Sequence, residues 1–91
     1  MVFALNNELM LAARHIRIAR LLDEQGPLGI IKLSKMTQLP PQQVRYSLRV
    51  LQQRGFLEPT TKGAELNSKG YKFLKELDIE KKRLIEDINR L

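Results

Sequence analysis

The residues of this chain best suited to chemistry are basic side chains concentrated in residues 25–57. No Asp or Glu occurs in this segment, whereas the rest of the chain holds eleven basic residues and ten acidic ones, so the segment accounts for most of the net charge of +6. Its basic residues are Lys32, Lys35, Arg45, Arg49 and Arg54. A field of one sign attracts a polyanion, and the release of counterions then supplies affinity. The chemistry indicated is the binding of phosphate groups.

Hydrogen-bonding side chains also recur on one side of a helix that the pattern predicts from Pro41 to the stop at Gly55. On the helical wheel, Val44, Leu48 and Leu51 form an apolar stripe, with the small Ser47 beside them. The opposite arc carries Gln42, Arg45, Tyr46 and Arg49. In a major groove, Arg binds guanine or phosphate, Gln binds adenine, and Tyr contacts phosphate or the thymine methyl group. The same residue types also suit a solvated helix face, but the acid-free segment favours groove contact.

Further phosphate contacts are expected from the neighbouring elements. Lys32 and Lys35 belong to the preceding predicted helix, and Lys62, with Thr61 beside it, lies at the tip of a predicted hairpin. These side chains can bind phosphate oxygens, although Lys62 is equally compatible with an ordinary polar turn. The complete set of predicted DNA-binding residues is Lys32, Lys35, Gln42, Gln43, Arg45, Tyr46, Arg49, Thr61 and Lys62.

The basic residues of the first predicted helix carry less weight. Arg14, Arg17 and Arg20 advance around that helix by about 60° at each step, so they do not share one face. We expect most of them to be solvated, or paired with Glu24 or with acidic residues elsewhere. His15 is expected to be a surface or half-buried helix residue, and no function is assigned to it.

Several classes of function are disfavoured by composition. The chain has no Cys and a single His, so disulfides and thiolate metal sites are excluded and no nucleophile–base pair can be assembled. We therefore expect no enzymatic activity, no metal and no cofactor. There is no leader-like segment and no apolar stretch long enough to span a bilayer, so we expect a cytoplasmic, nucleoid-associated protein that does not bind membranes.

Three helices are predicted in the first 55 residues. The first is expected to be capped by Asn6 or Asn7 and to run to about Gln25, where Gly26-Pro27 stops it. Leu28 is expected to form a short β-bridge, and the second and third helices to span residues 30–37 and 41–54. The first helix should contribute an apolar stripe to the core, formed by Leu9, Ala12, Ile16, Ala19 and Leu22.

A hairpin and a long last helix are predicted to follow. Residues 56–58 and 64–66 read as strands joined by a glycine-containing loop over residues 59–63. Ser68 should cap a last helix that continues to the C-terminus. The fold class is therefore mainly α with a small β-hairpin, in the order α-β-α-α-β-β-α, with an extended C-terminal helix.

Residues 27–48, P-L-G-I-I-K-L-S-K-M-T-Q-L-P-P-Q-Q-V-R-Y-S-L, resemble the helix-turn-helix of winged-helix DNA-binding proteins without gaps. R-G-F-L-E-P and L-N-S-K-G-Y-K-F-L resemble the strands and helix that follow in that family, so the similarity covers residues 12–77. It implies that the third helix enters the major groove and that the hairpin, the wing, contacts adjacent backbone or minor groove. The length and order are also similar to those of small archaeal winged-helix dimers with a C-terminal coiled-coil helix.

The chain departs from the family pattern at a few positions. Gly29 stands where Ser or Thr usually caps the second helix, Gln38 where the turn prefers Gly, and Pro40 where the third helix prefers Ser. Thr37 replaces a common core Leu. A non-glycine residue in a left-handed turn costs about 1 kcal/mol. These changes weaken the similarity to the family at single positions, but the alignment stays free of gaps.

The last helix has more apolar surface than one small domain requires. Residues 68–91 would span about 36 Å, and the apolar stripe continues beyond Leu77, where Lys81 interrupts it. The predicted dimerisation residues are Leu77, Leu84, Ile85, Ile88 and Leu91.

The alternative is that this helix folds back on the first helix of its own chain, whose N-terminal part is also apolar (Phe3, Leu5, Leu9, Met10, Leu11). We favour a homodimer, with residues 1–77 as the DNA-binding domain and residues 78–91 as a dimerisation extension, because a protruding amphipathic helix of two heptads is marginal alone.

The function predicted from these features is sequence-specific binding of double-stranded DNA by a dimeric transcriptional regulator. Two alternatives stay open at this point. A non-specific architectural or nucleoid protein would use the same charge without reading bases. A protein or RNA adaptor would use the same fold without binding duplex DNA at all.

Overall fold

In the computed structural model, the backbone of residues 2–91 and the side chains of residues 9–91 are described. The fold is mainly helical, with one two-stranded antiparallel hairpin and a long C-terminal helix, as the sequence predicts. The elements in chain order are α1 Val2–Gln25, α2 Ile30–Thr37, α3 Pro41–Gln53, β1 Leu57–Thr60, β2 Gly63–Leu66 and α4 Ser68–Asn89. The predicted bounds of α2 are confirmed.

Helix α1 begins earlier than predicted. It starts at Val2 and continues through Asn6 and Asn7, so the prediction that one of these residues caps the helix is wrong. The residues just before them include Ala4 and Leu5, which are strong helix formers, and an interior Asn costs only about 0.5 kcal/mol relative to Ala. The predicted end is confirmed, since Gly26 adopts φ +84° and its amide donates to the Leu22 carbonyl at 3.1 Å.

The start of α4 differs from the prediction by one residue. Asn67, not Ser68, is the N-cap, and its Oδ1 accepts from the Gly70 amide at 2.8 Å. The Asn67 side-chain amide also donates to the Gly55 carbonyl at 2.8 Å. The two polar atoms of this side chain thus join the start of α4 to the turn after α3.

The core lies where α1, α3 and the hairpin meet. Its buried apolar residues are Ile18, Ala19, Leu22, Leu28, Leu33, Val44, Leu51, Leu57 and Leu74. The predicted α1 stripe is only partly correct, because Ile16 is half-buried, Leu9 is 61% exposed and Ala12 is exposed, whereas Ile18 is fully buried. The buried face of α1 is set by the directions from which α3 and the hairpin approach, and helical spacing does not contain that information.

The hairpin is longer, and its loop shorter, than predicted. Pro59 and Thr60 pair with Ala64 and Gly63, leaving a two-residue turn in place of the predicted loop over residues 59–63. The Thr60 hydroxyl donates to the Gly63 carbonyl at 2.7 Å and accepts from the Lys62 amide at 3.1 Å. This side chain therefore adds two hydrogen bonds to the backbone pairing that closes the turn.

The predicted bridge at Leu28 is confirmed and fastens the hairpin to the α1–α2 linker. Leu28 and Ala64 exchange backbone hydrogen bonds of 3.1 and 2.9 Å. Gly63 has φ +124°, and a Cβ at this position would lie 2.3 Å from the Leu28 carbonyl carbon. Only glycine permits so close an approach of the linker to the hairpin.

The turn between α2 and α3 shows how the unusual residues are accommodated. Gln38 adopts the left-handed conformation with φ 60°. The buried Thr37 hydroxyl donates to the Leu33 carbonyl at 2.7 Å and accepts from the Leu39 amide at 3.3 Å. Gly29 and Pro40 are the N-cap residues of α2 and α3, and neither has a side-chain capping bond. A buried side-chain hydroxyl thus stabilises the turn through two hydrogen bonds to the backbone.

Candidate nucleic-acid interface

Helix α3 divides into a buried face and an exposed face as its pattern predicts. Val44, Ser47 and Leu51 are buried, and Leu48 is partly buried. Gln42, Gln43, Arg45, Tyr46 and Arg49 are all exposed, with Tyr46 at 44%. These exposed residues are hydrogen-bond donors with long or planar side chains. Side chains of this kind bind base edges in a DNA groove.

An open groove separates α3 from the hairpin. Its volume is about 450 Å³, and the side chains of Arg45, Arg49 and Gln52 line the α3 side. Glu58 and Thr60 line the hairpin side. The sequence prediction did not include Glu58 in this site, because the acid-free segment ends one residue earlier. Its carboxylate makes no ion pair among the described residues, so it places a negative charge at one edge of a basic groove.

The same face of the hairpin carries a second carboxylate. Glu58 pairs in register with Glu65, and both are exposed. Two like charges directly opposite one another are destabilising in an antiparallel ladder. This part of the hairpin is therefore unsuited to contact phosphate, and any phosphate contact by the hairpin must come from the turn, where Thr61 and Lys62 are exposed.

On its other side, α3 packs against α1 through polar contacts that the sequence did not predict. The Nε of Arg14 donates to Oγ of Ser47 at 3.2 Å, and Nδ1 of His15 lies 2.6 Å from the same oxygen. The ring of Tyr46 lies beside both residues, with its centroid 5.8 Å from that of His15 and 6.0 Å from the Arg14 guanidinium carbon. We call Arg14, His15, Tyr46 and Ser47 the α1–α3 polar cluster.

The electrostatics of this cluster favour a neutral imidazole. Burial, followed by the positive charges of Arg14 and Arg54, lowers the pKa of His15 below its ordinary value of 6.5. A neutral ring with its proton on Nε2 can accept the Ser47 hydroxyl proton at Nδ1, while Ser47 accepts from Arg14. Protonating His15 would place a third cation close to Arg14 and Arg54. The expected half-buried position of His15 is confirmed, and its role in joining α1 to α3 is new.

Ion pairing distinguishes the arginines of α1. Arg20 and Asp78 form an ion pair at 2.7 Å, and the hydrogen bond from Arg20 lowers the pKa of Asp78. The expectation that these arginines pair with an acidic residue is thus met for Arg20, by a partner 58 residues away. Within residues 9–91 the other ion pair joins Arg83 to Glu80 at 3.2 Å, so Arg14 and Arg17 have no acidic partner there.

The remaining predicted DNA-binding residues are spread over neighbouring surfaces. Lys32 and Lys35 are exposed on α2, and Lys62 is exposed at the hairpin turn. They do not line the α3–hairpin groove that contains Arg45 and Arg49. Gln43 lies on the flank of α3 that faces α1, where it lines a groove with Arg14 and Arg17. The structure thus brings Arg45 and Arg49 together and leaves the lysines at the periphery.

The C-terminal half of α4 exposes its apolar stripe. Leu77 is half-buried, but Leu84 is 60% exposed, Ile88 is 55% exposed and Leu91 is fully exposed. The described side chains of α1 therefore leave Leu84, Ile88 and Leu91 exposed, although Leu77 and Leu84 line a groove of about 780 Å³ beside α1. Ile85, the fifth predicted dimerisation residue, is 49% exposed. The side chains of Phe3 and Leu5, which the alternative interpretation invokes, lie outside the described residues.

Two further features are absent from the described residues. No group of three or more His, Cys, Asp or Glu side chains within them is arranged to hold a metal ion. No helix in the described part of the chain combines the length and the apolar character that crossing a membrane requires.

Comparison of the sequence with known proteins finds no matching protein-family model and no matching curated protein.

Proposed function

We propose that this chain is a winged-helix protein that binds double-stranded DNA sequence-specifically and regulates transcription as a homodimer. The observation that carries the proposal is the exposed face of α3. Gln42, Arg45, Tyr46 and Arg49 lie on it, and neither arginine pairs with an acid among the described residues. Because these donors are exposed and unpaired, they can replace their hydrogen bonds to water with hydrogen bonds to base edges, and no contact within the protein has to break.

In this proposal α3 lies in the major groove, which is about 12 Å wide and admits one helix. Arg45 and Arg49 hydrogen-bond guanine or phosphate, Gln42 binds adenine, and Tyr46 contacts phosphate or a thymine methyl group. A bidentate contact to a base contributes about 1–3 kcal/mol of discrimination. The carboxylate of Glu58 beside Arg45 and Arg49 adds selectivity, since it repels phosphate and accepts a hydrogen bond from the amino group of cytosine.

The surrounding basic residues position the helix. Lys32 and Lys35 on α2 and Lys62 at the hairpin turn contact phosphates of the flanking backbone, and Thr61 donates a hydroxyl proton to a phosphate oxygen. These contacts contribute affinity that falls with salt and carry no sequence information. The proposed site of action of such a regulator is the nucleoid.

Dimerisation through α4 completes the proposal. The exposed stripe formed by Leu84, Ile88 and Leu91 repeats at alternating intervals of four and three residues, which is the spacing of a coiled-coil seam. Its occupant is a second copy of this chain, because the stripe continues directly from the half-buried Leu77 and from the groove beside α1. Lys81 lies at a seam position, so two heptads alone give a weak coiled coil. We therefore propose that the exposed Leu9 and Met10 of α1 share the interface.

One binding experiment separates this proposal from its rivals. Fluorescence anisotropy is measured with a labelled duplex obtained by selection from a random pool and with an unselected duplex of the same length. A sequence-specific regulator binds the selected duplex at least 10³-fold more tightly at about 150 mM salt. Equal affinities would indicate an architectural protein, and no binding to either duplex at low salt would indicate a protein or RNA adaptor.

A further inference from the structure

We propose that Arg14 of α1 is an additional phosphate-binding residue, so that the DNA interface extends from α3 onto α1 on the side away from the hairpin. This inference rests on the proposed function, and it adds α1 to the contact regions proposed on α2, α3 and the hairpin turn. The sequence did not predict it, because Arg14, Arg17 and Arg20 advance around α1 and the three do not form one face.

The geometry of Arg14 is the first support. Its Nε donates to Oγ of Ser47 at 3.2 Å, and Ser47 is fully buried in the helix that we place in the major groove. The guanidinium is thus anchored by one nitrogen at the edge of α3. Its two terminal nitrogens donate to no acceptor within residues 9–91. An arginine held in this way has two free nitrogen donors, which can bind two oxygens of one phosphate group. Because the side chain is already partly ordered, less conformational entropy is lost when the phosphate binds.

The position of Tyr46 is the second support. Its ring lies 6.0 Å from the Arg14 guanidinium carbon, and the residue is 44% exposed on the face proposed to enter the groove. A side chain in contact with Tyr46 is therefore at the border of that face. The major groove is about 12 Å wide, and a helix with its side chains is about 10–12 Å in diameter. Elements packed on either flank of α3 consequently lie next to the two phosphate backbones. The hairpin occupies one flank, and α1 occupies the other.

The charge of the surrounding surface is the third support. Arg14 and Arg17 line a groove of about 660 Å³ between α1 and α3, together with Gln43 and Leu39, and no Asp or Glu contributes to it. Arg54 adds a further positive charge close enough to affect His15. The α3–hairpin groove contains Glu58, so the α1 flank is the more uniformly positive of the two.

Arg20 provides a matched control on the same helix. It lies six residues after Arg14 and carries the same charge, but its guanidinium is engaged by Asp78 at 2.7 Å. The experiment compares Arg14→Gln and Arg20→Gln in the full chain by fluorescence anisotropy on an unselected duplex between 50 and 200 mM salt. Arg14→Lys and Arg45→Ala/Arg49→Ala are measured in the same series.

The expected result is specific to Arg14. Each phosphate contact contributes about 0.9 to the slope of log affinity against log salt, so Arg14→Gln should lower the slope by about 0.9 per bound subunit. When the salt concentration rises fourfold, the affinity of Arg14→Gln should therefore fall by a factor about 3.5 times smaller per subunit than the affinity of the wild type. Arg20→Gln should leave the slope unchanged, and Arg14→Lys should preserve most of it, since the charge remains. Thermal melting of Arg14→Gln should stay close to that of the wild type, because Ser47 keeps His15 as a hydrogen-bond partner.

Three outcomes would overturn the inference. An unchanged slope for Arg14→Gln, while Arg45→Ala/Arg49→Ala binds weakly, would reject the α1 contact and leave the proposed function standing. Equal slope changes for Arg14→Gln and Arg20→Gln would show a general effect of charge. Failure of the wild type to bind any duplex at low salt would reject both the inference and the proposed function.

Discussion

Removing both arginines from the exposed face of α3 tests the central proposal most directly. Arg45 and Arg49 lie together on the α3 side of one groove and have no acidic partner among the described residues. At about 1–3 kcal/mol for each contact, Arg45→Ala/Arg49→Ala should weaken binding to a selected duplex by about 2–6 kcal/mol per subunit. Since 1.4 kcal/mol is a tenfold change in affinity, the loss should lie between about 30-fold and more than 10⁴-fold.

The same double change should leave the fold intact. Both positions are exposed, and neither residue contributes to the buried core. Ala has a slightly higher helix propensity than Arg, so the melting temperature of the variant should be equal to that of the wild type or slightly higher. Binding should be measured by anisotropy and stability by circular dichroism on the same preparations.

A charge-matched variant is the control. Lys82→Ala/Arg90→Ala also removes two positive charges, from the exposed Lys82 of α4 and from Arg90, the exposed C-cap residue of that helix. It should alter affinity much less, because exposed charges more than a Debye length of about 8 Å from the DNA are screened at physiological salt. Full affinity in Arg45→Ala/Arg49→Ala would refute the assignment of α3 as the DNA-reading element. A large fall in melting temperature would show that this face of α3 is structural.

Three further predictions follow from the hairpin turn, α4 and the α1–α3 polar cluster. Lys62→Ala should lower affinity for all duplexes alike and reduce the slope of log affinity against log salt by about 0.9 per subunit, measured by anisotropy. Leu84→Glu/Ile88→Glu should convert a dimer into a folded monomer in sedimentation experiments at micromolar concentration, because unpaired carboxylates buried in the seam are costly. The variant should also bind an operator more weakly, since two linked half-site contacts become one. His15 should make stability depend on pH: its lowered pKa contributes stability that is fully present above pH 6.5 and is lost as the pH falls through the folded-state pKa. In urea unfolding between pH 7.5 and 5, His15→Gln should flatten this dependence, and Gln can keep a hydrogen bond to Ser47.

Each of these three has its own opposing outcome. A salt slope that does not change in Lys62→Ala would make this residue an ordinary turn residue. Wild-type protein that sediments as a monomer at high concentration would remove the role assigned to the exposed stripe of α4. The pH range ends at 5 so that Asp78 does not titrate within it. Arg20 lowers the pKa of Asp78, and the stability that this carboxylate contributes is lost only as the pH falls below 3.8, the ordinary pKa of Asp. An unaltered pH dependence in His15→Gln would therefore reject the contribution of His15.

Features that depend on residues close together in sequence were predictable. The bounds of α2, the left-handed conformation at Gln38 and the end of α1 at Gly26 are all confirmed. The end of α1 and the bounds of α2 follow from residue types within one helical turn, whereas the conformation at Gln38 was expected from the register of the family resemblance. The division of α3 into apolar and polar faces was predictable for the same reason, since 100° per residue converts spacing into direction.

The predicted helix caps were wrong where several neighbouring residues could each cap a helix. Asn6, Asn7 and Ser68 are all acceptable capping residues, but the helix continues through the first two, and Asn67 caps α4 instead of Ser68. The choice of Asn67 depends on its second hydrogen bond, to Gly55, which a local pattern does not show. The hairpin loop is shorter than predicted because the Thr60 hydroxyl bonds to both Gly63 and Lys62 across the turn.

The sequence by itself determined the order of elements, the acid-free basic segment and the residue types exposed on α3. Tertiary structure alone decided which surfaces adjoin that helix. Arg14 reaches Ser47 across 33 residues and Arg20 reaches Asp78 across 58, and Glu58 enters the groove only because the hairpin lies beside α3. The physical reason is that helical periodicity gives the direction of a side chain relative to its own axis. Its partner is set by how the core packs one axis against another.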